Sequence, residues 1–310
     1  MQDTSGHKQK VESNFLVVGL VRNCEKKIKE DVLRLLEAIG QAKQLHWLLI
    51  ESDSTDLTLN KLKELSTEIP NFRHISLGTL KITLPLRTQR IAHCRNEYVK
   101  EIRKIDAYKA VDYVIVSDFD GLNTHITSQA IDSCWKRVDW DMCAANQRGP
   151  YYDIWALRHK NWSPNDCWAQ YKFLNIYEPN TEKNIYSSVY SRMITLPTDR
   201  AWIEVDSAFG GLAIYKKELF DIAEYIGLDE NGEEFCEHVP FHNKLKQNGA
   251  KLFINPQLIN AEYTEHTRHL LFTKRITRKF KSIIKRTLRA ILGYDKALKL
   301  EKSFAARRNN

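Results

Sequence analysis

Residues 112–124 read Asp-Tyr-Val-Ile-Val-Ser-Asp-Phe-Asp-Gly-Leu-Asn-Thr. Tyr113, Val114, Ile115 and Val116 are aromatic and β-branched, the composition of a buried strand. The run stops at Ser117, and two carboxylates, Asp118 and Asp120, flank Phe119 ahead of Gly121. In extended backbone, residues two apart share a face, so Asp118 and Asp120 project together from the strand's carboxyl end. Carboxylates that close repel each other and call for a cation or a ring of donors between them. A hard divalent ion with oxygen ligands, Mn²⁺ or Mg²⁺, fits, and such ions commonly bring phosphates as further ligands. Open α/β sheets bind ligands at the carboxyl ends of their strands, so the stretch predicts a metal–diphosphate site. Asp-x-Asp is also an ordinary turn or helix-cap pattern, and its surroundings decide between the readings.

Upstream, residues 15–21 form an apolar strand pattern ending in Arg22-Asn23, and residues 26–40 carry apolar positions at helical spacing closed by Gly40. Residues 46–50 are a second apolar strand running into Glu51-Ser-Asp-Ser-Thr-Asp56, and Leu57, Leu62 and Leu65 mark another helix. Strand–helix–strand–helix with short links predicts a parallel, doubly wound sheet. Ser54, Thr55 and Asp56 are cap residues. Glu51 sits at a strand tip where a carboxylate reads a ribose or base, and Arg22 and Asp53 join it as candidates for the nucleotide side of the site.

Residues 85–105 predict a helix whose stripe is Ile91, Cys94, Tyr98, Ile102 and Ile105. Arg87 falls within that stripe, and Arg90 and Arg95 fall on its flanks, so these arginines are expected to be partly buried and neutralised. Their partners are either internal carboxylates (Glu51, Asp53 or Asp118) or the phosphates of a ligand.

Downstream, residues 126–135 predict a helix and 140–144 a strand, while residues 149–158 are dense in aromatics around Asp153, an aromatic strand or a sugar-stacking surface. Residues 161–192 are polar and weakly periodic, a long loop of the lid or acceptor-site kind. Gly210 and Gly211 precede an apolar strand and a helix over 217–226; Glu237 and His238 lead into another helix, and residues 251–254 form a strand closed at Asn255-Pro256. His238, His242, His266 and His269 read as surface or capping residues, with His266 the candidate to complete a metal shell.

The chain has 310 residues and a net charge of +8. Thirteen lysines and arginines lie between Lys274 and Arg308 against Asp295 and Glu301 alone, so the remainder is slightly acidic. Phe272, Ile276, Phe280, Ile283, Ile284, Leu288, Ile291 and Leu292 form one apolar stripe, stopped by Gly293. Apolar face and basic face together predict an amphipathic helix lying in an anionic membrane interface. Residues 1–14 predict a disordered, polar start with no signal peptide or anchor; residues 15–267 then form the catalytic domain and 268–310 the basic tail. Six scattered cysteines without metal spacing predict reduced, buried thiols in a cytoplasmic protein.

Five stretches in order carry a resemblance: residues 50–56, residues 90–96, residues 116–120, residues 151–158, and Phe209-Gly-Gly211 with Glu237-His238. The arrangement resembles a GT-A glycosyltransferase, and more closely the fungal capsule-associated α-1,3-mannosyltransferase family. The resemblance implies an α/β GT-A fold and a nucleoside diphosphate sugar donor, with GDP-mannose favoured. It further implies a metal at Asp118 and Asp120, Glu51 at the nucleoside end, Arg90 and Arg95 on the basic helix, and retention of anomeric configuration. It departs in lacking the N-terminal anchor and in having Asp118-Phe119-Asp120 where the family tends to have Asn-Asp. The expected reaction moves a hexose to a glycan or lipid-linked acceptor in polysaccharide assembly, on the cytoplasmic face of a membrane. For an inverting reaction Glu237 or Asp206 is the base. A nucleotidyltransferase shares the same metal logic. A nucleic-acid-binding module driven by the tail is disfavoured by the near-neutral globular part.

Overall fold

The computed structural model describes residues 8–270. The chain divides into two compact units, Met1–Glu262 and Tyr263–Asn310. The first holds strands β1 (Asn14–Val21), β2 (Gln44–Glu51), β3 (Phe72–Ser76), β4 (Tyr113–Ser117), β5 (Met142–Gln147), β6 (Ile203–Glu204), β7 (Leu212–Lys216) and β8 (Leu252–Ala261). Its helices are α1 (Ile28–Ile39), α2 (Thr58–Glu68), α3 (Arg87–Lys104), α4 (Ser128–Asp132), α5 (Cys167–Tyr177), α6 (Thr181–Ser188) and α7 (His238–Gln247). The strands form one sheet in the order β3-β2-β1-β4-β7-β5-β8-β6, parallel except at β7 and β6.

Alternate residues of each strand serve two cores. Phe15, Val17, Trp47, Leu49 and Ile115 pack with Ile28, Val32 and Leu35 of α1 and Leu62 and Leu65 of α2. Leu16, Val18, Leu48, Ile50, Val114 and Val116 pack with Cys94, Tyr98 and Ile102 of α3 and Phe241 and Leu245 of α7. This is the α/β, mostly parallel, helix-flanked architecture expected from the sequence. All six cysteines are free and buried. Among the described residues no helix is long and apolar enough to cross a membrane.

The structure departs from the sequence expectations at several points. Residues 161–192 are not a long loop but carry α5 and α6, started by the Asp166 and Asn180 side chains accepting from backbone N–H groups. Only Cys167 of α5 is buried, so it shows no apolar stripe to detect. Residues 149–158 form no strand; this segment is loop, with Tyr151, Ile154 and Leu157 turned into the core. The helix expected over 217–226 is a short 3-10 turn, Lys217–Asp221. Asn96 accepts from the Tyr225 N–H at 2.8 Å, a group a helix would use, and donates to the Tyr225 carbonyl at 2.9 Å. Strand β8 continues through Pro256, because a register irregularity opposite Asn146 removes the ladder bond that proline cannot make. Arg87 is exposed rather than within the buried stripe, and Ile91 is only half-buried. His238 and His242 are core residues, not surface ones. Edge strands β3 and β6 are too short and polar to announce themselves.

Residues 8–13 are ordered by a turn at Lys10–Glu12 and by Lys8 Nζ, 2.8 Å from Asp112. In the second unit, the Thr264 carbonyl accepts from the N–H groups of Thr267 and Arg268. The amphipathic helix expected in the tail falls on residues 271–310, outside the described residues.

Candidate active site

The Asp118–Asp120 turn leaves β4 at the carboxyl edge of the sheet, where the strand order reverses between β1 and β4. Phe119 points the opposite way and is buried, its ring so close to Gly19 of β1 that a Cβ there would lie 2.5 Å from it. Burying Phe119 is what turns both neighbouring carboxylates to the other side. Asp118 is half-buried and Asp120 exposed.

A second turn, Phe209-Gly210-Gly211, meets the first. The Asp118 N–H donates to the Gly211 carbonyl at 3.0 Å, and the Gly210 N–H donates to Asp153 Oδ2 at 3.0 Å. Three buried amides lock the pair together. Asn123 donates to the Asp118 carbonyl (2.8 Å) and to Ser117 Oγ (3.0 Å). Asn260 donates to Asn123 Oδ1 and to the Gly210 carbonyl, both at 2.8 Å, and Gln147 donates to that same carbonyl at 3.1 Å. Gln147, at the end of β5, and Asn260, near the end of β8, are thus building parts that strand periodicity alone does not mark. Gly211 has φ +83°, and a Cβ there would lie 1.9 Å from Leu122 Cδ2 and 2.9 Å from the Tyr152 hydroxyl. Gly211→Ala is therefore expected to cost more than the roughly 1–2 kcal/mol of a left-handed alanine, and to prise the Gly turn away from Asp118. A urea titration reads the first effect, and one as stable as the parent would remove the packing argument.

The electrostatics are dominated by acid. Burial first, and the Asp120 charge second, push the Asp118 carboxyl up to about 8 from its ordinary 3.8; Arg95 opposes the rise, while Asp153 and Glu237 add to it. The Tyr152 phenol is raised well above its usual range by burial and then by Asp153 and Asp118. An oxygen-only donor pair whose full ionisation is disfavoured by burial and by mutual repulsion suits a hard divalent ion, so Asp118 and Asp120 fit the implied metal. Among the described residues no third His, Cys, Asp or Glu completes a ligand cluster; His266 lies in the second unit.

Arg95 is buried and donates through Nε to Glu237 Oε1 at 2.9 Å and through Nη1 to the Tyr98 hydroxyl at 3.2 Å. Its guanidinium lies 5.3 Å from the Phe209 ring centre and 5.4 Å from that of Tyr225. Its ion-pair partner is thus Glu237, none of the three carboxylates considered from sequence. His238 stacks on Phe209 at 4.2 Å, and burial followed by the Arg95 charge holds it neutral. His242, pushed down to about 3 by the same two causes, bonds to Ser207 Oγ and the Tyr215 hydroxyl, both at 2.9 Å.

At the β2 tip, Glu51 is buried and accepts from the Ser54 N–H at 3.0 Å and from the Ser76 hydroxyl. Asp53 has φ +58°, accepts from the Lys81 N–H at 2.9 Å and lies 3.8 Å from Arg90. Arg90 spends its other contacts on the Leu84 and Pro85 carbonyls, both at 2.7 Å. Arg22 is exposed beyond β1. Asp206 is exposed and 3.9 Å from Lys246. The first unit therefore brings Asp118, Asp120, Asp153, Arg95 and Glu237 to the β4–β7 junction, with Arg22, Glu51, Asp53 and Arg90 along the β1–β2 edge.

No family model and no curated protein matches the sequence. Solved structures do resemble the chain. One is a mannosyltransferase from Pyrobaculum calidifontis, in complex with GDP-Man and Mn²⁺ (TM-score 0.49, 13% identity, 85% of this chain, 61% of that one). Another is residues 1–349 of TarS from S. aureus, in complex with UDP-GlcNAc (TM-score 0.49, 15% identity, 81% and 59%). A third is glucosyl-3-phosphoglycerate synthase from Mycobacterium tuberculosis, in complex with uridine diphosphate (TM-score 0.38, 13% identity, 82% and 70%). The chain spans about three fifths of the first two. These are among the solved structures that the chain resembles.

Proposed function

We propose that the chain is a metal-dependent glycosyltransferase that moves a hexose from a nucleoside diphosphate sugar to an acceptor hydroxyl. The observation that carries the reading is the paired Asp118 and Asp120 at the reversal point of the sheet, packed against a glycine turn that holds Asp153 and shares Phe209 with the Arg95–Glu237 pair. Asp118 and Asp120 would hold the cation, which when bound offsets charge developing on the leaving diphosphate. The glycine turn lets Leu122, Tyr152 and the Ala145 carbonyl pack directly against its backbone, which fixes the wall beside Asp118. The β1–β2 edge, with Arg22, Glu51, Asp53 and Arg90, takes the nucleoside end. In the transfer, the bond from the anomeric carbon to the diphosphate oxygen breaks and one to the acceptor oxygen forms, the acceptor proton going to a base. For inversion, Glu237 supports that role better than Asp206, because it is buried beside the carboxylate cluster and Asp206 is exposed next to Lys246. GDP-mannose, retention, a glycan or lipid-linked acceptor and a membrane-facing tail complete the proposal from the family resemblance and the tail's charge.

The test is a panel of nucleotide sugars with Mn²⁺, followed by release of free sugar and nucleoside diphosphate. One donor is expected to be hydrolysed slowly without acceptor, and excess chelator is expected to reduce that rate at least ~10²-fold, the scale of a lost charge-stabilising contact. Full activity in chelator, or no donor hydrolysed or bound across the panel, overturns the reading.

A further inference from the structure

Helix α1 reaches the metal-site turn with two side chains. Lys27, its N-terminal cap, donates from Nζ to the Asp120 carbonyl oxygen at 2.6 Å. Asp31, one turn further, accepts from the Gly121 N–H at 2.7 Å through Oδ2. The Asp120 carbonyl and the Gly121 N–H belong to one peptide unit, so both of its polar groups are held from the same helix. The spacing between the two holders is itself set, since the Asp31 N–H donates to the Lys27 carbonyl at 3.0 Å. Gly121 has φ +88°, and a Cβ there would lie 2.6 Å from Lys27 Cδ, so the lysine lies flat over the turn. Asp31 is only 3% exposed, which fixes its side of the grip.

A peptide plane held at both ends cannot rotate, and its orientation sets the direction in which the preceding side chain leaves the backbone. We infer that Lys27 and Asp31 are positioning residues that clamp the Asp120–Gly121 peptide and thereby aim the Asp120 carboxylate at Asp118. This rests on the reading of Asp118 and Asp120 as the cation site. Electrostatics alone makes opposite predictions: removing the Lys27 charge beside a cation site tightens the site, whereas removing half of a clamp loosens it.

The experiment uses the full chain and Mn²⁺ alone, with free Mn²⁺ followed by its electron paramagnetic resonance signal. It also follows hydrogen exchange of the Gly121 amide in metal-free protein. Lys27→Met and Asp31→Ala are each expected to weaken Mn²⁺ binding by about 10-fold, as outer partners of metal ligands do, and to lower the protection of Gly121. The double variant is expected to be little worse than the weaker single one, because both act on one peptide. Asp31→Asn keeps an acceptor oxygen and is expected to restore most of the affinity. Tighter Mn²⁺ binding by Lys27→Met, or unchanged Gly121 protection in both single variants, overturns the clamp. A parent chain that binds no Mn²⁺, with Gly121 protection still lost in both variants, overturns the cation site and leaves the peptide clamp standing.

Discussion

Asp118→Asn is expected to melt at a higher temperature than the parent at pH 8 in chelator, while losing metal-dependent donor binding. The Asp118 carboxyl is raised from 3.8 to about 8 by burial and by the neighbouring Asp120 charge, so the fold favours its protonated form. A group with a raised folded value stabilises most below its unfolded value, and that stability is lost as pH rises between about 4 and 8. Ionising Asp118 in the folded chain therefore costs on the order of a few kcal/mol by pH 8, after allowance for its partial exposure. Asparagine keeps the shape and removes the charge, so the gap between variant and parent is expected to widen from pH 5 to pH 8. Thermal melts at the two pH values read it. Mn²⁺ is expected to raise the melting temperature of the parent at pH 8 and not that of the variant. A variant that melts below the parent at pH 8 would show that the Asp118 charge is compensated within the protein.

Arg95→Met is expected to be among the most destabilising single changes in the chain, by about 3–5 kcal/mol, because it leaves Glu237 buried without its cation. Arg95→Lys is expected to recover only part of this. An ammonium cannot reach Glu237 and Tyr98 from one flat group, nor lie between the Phe209 and Tyr225 rings as a guanidinium does. Adding Glu237→Gln to Arg95→Met removes the stranded charge and is expected to return most of the stability without returning donor turnover. Urea unfolding measures the first effect and single-turnover donor cleavage the second. Equal stability of Arg95→Met and the parent would mean that water reaches the pair.

Much of the first half was legible because its elements are periodic and local. Strand β4 ends in charge, and Phe119 between two aspartates could only be turned inward, so the site's centre was readable from thirteen residues. Helix α1 closes at Gly40 with φ +60°, as its sequence suggests. Arg95 was marked as a buried cation by its place beside an apolar stripe. Its partner was not, because Glu237 lies 142 residues away and is brought to it only by α7 packing on the same face of the sheet as α3. Lys27 and Asp31 stand at a helix start, and nothing local says that a turn some ninety residues later rests on them. Asn123, Gln147 and Asn260 are polar residues that any loop or strand end could carry; that Gln147 and Asn260 meet on the Gly210 carbonyl, and that Asn260 links on to Asn123, exists only in the folded chain.

The division has a physical cause. Propensity, alternation and capping act over a few residues, so the sequence by itself determined the strands other than β3 and β6, most of the helices, the α/β class and the carboxylate pair at the tip of β4. Hydrogen-bond partners, desolvation and ion pairing depend on which elements the sheet places side by side. Only the tertiary structure decided that Arg95 answers Glu237, that Asp118 is held near neutrality, and that α1 grips the peptide after Asp120.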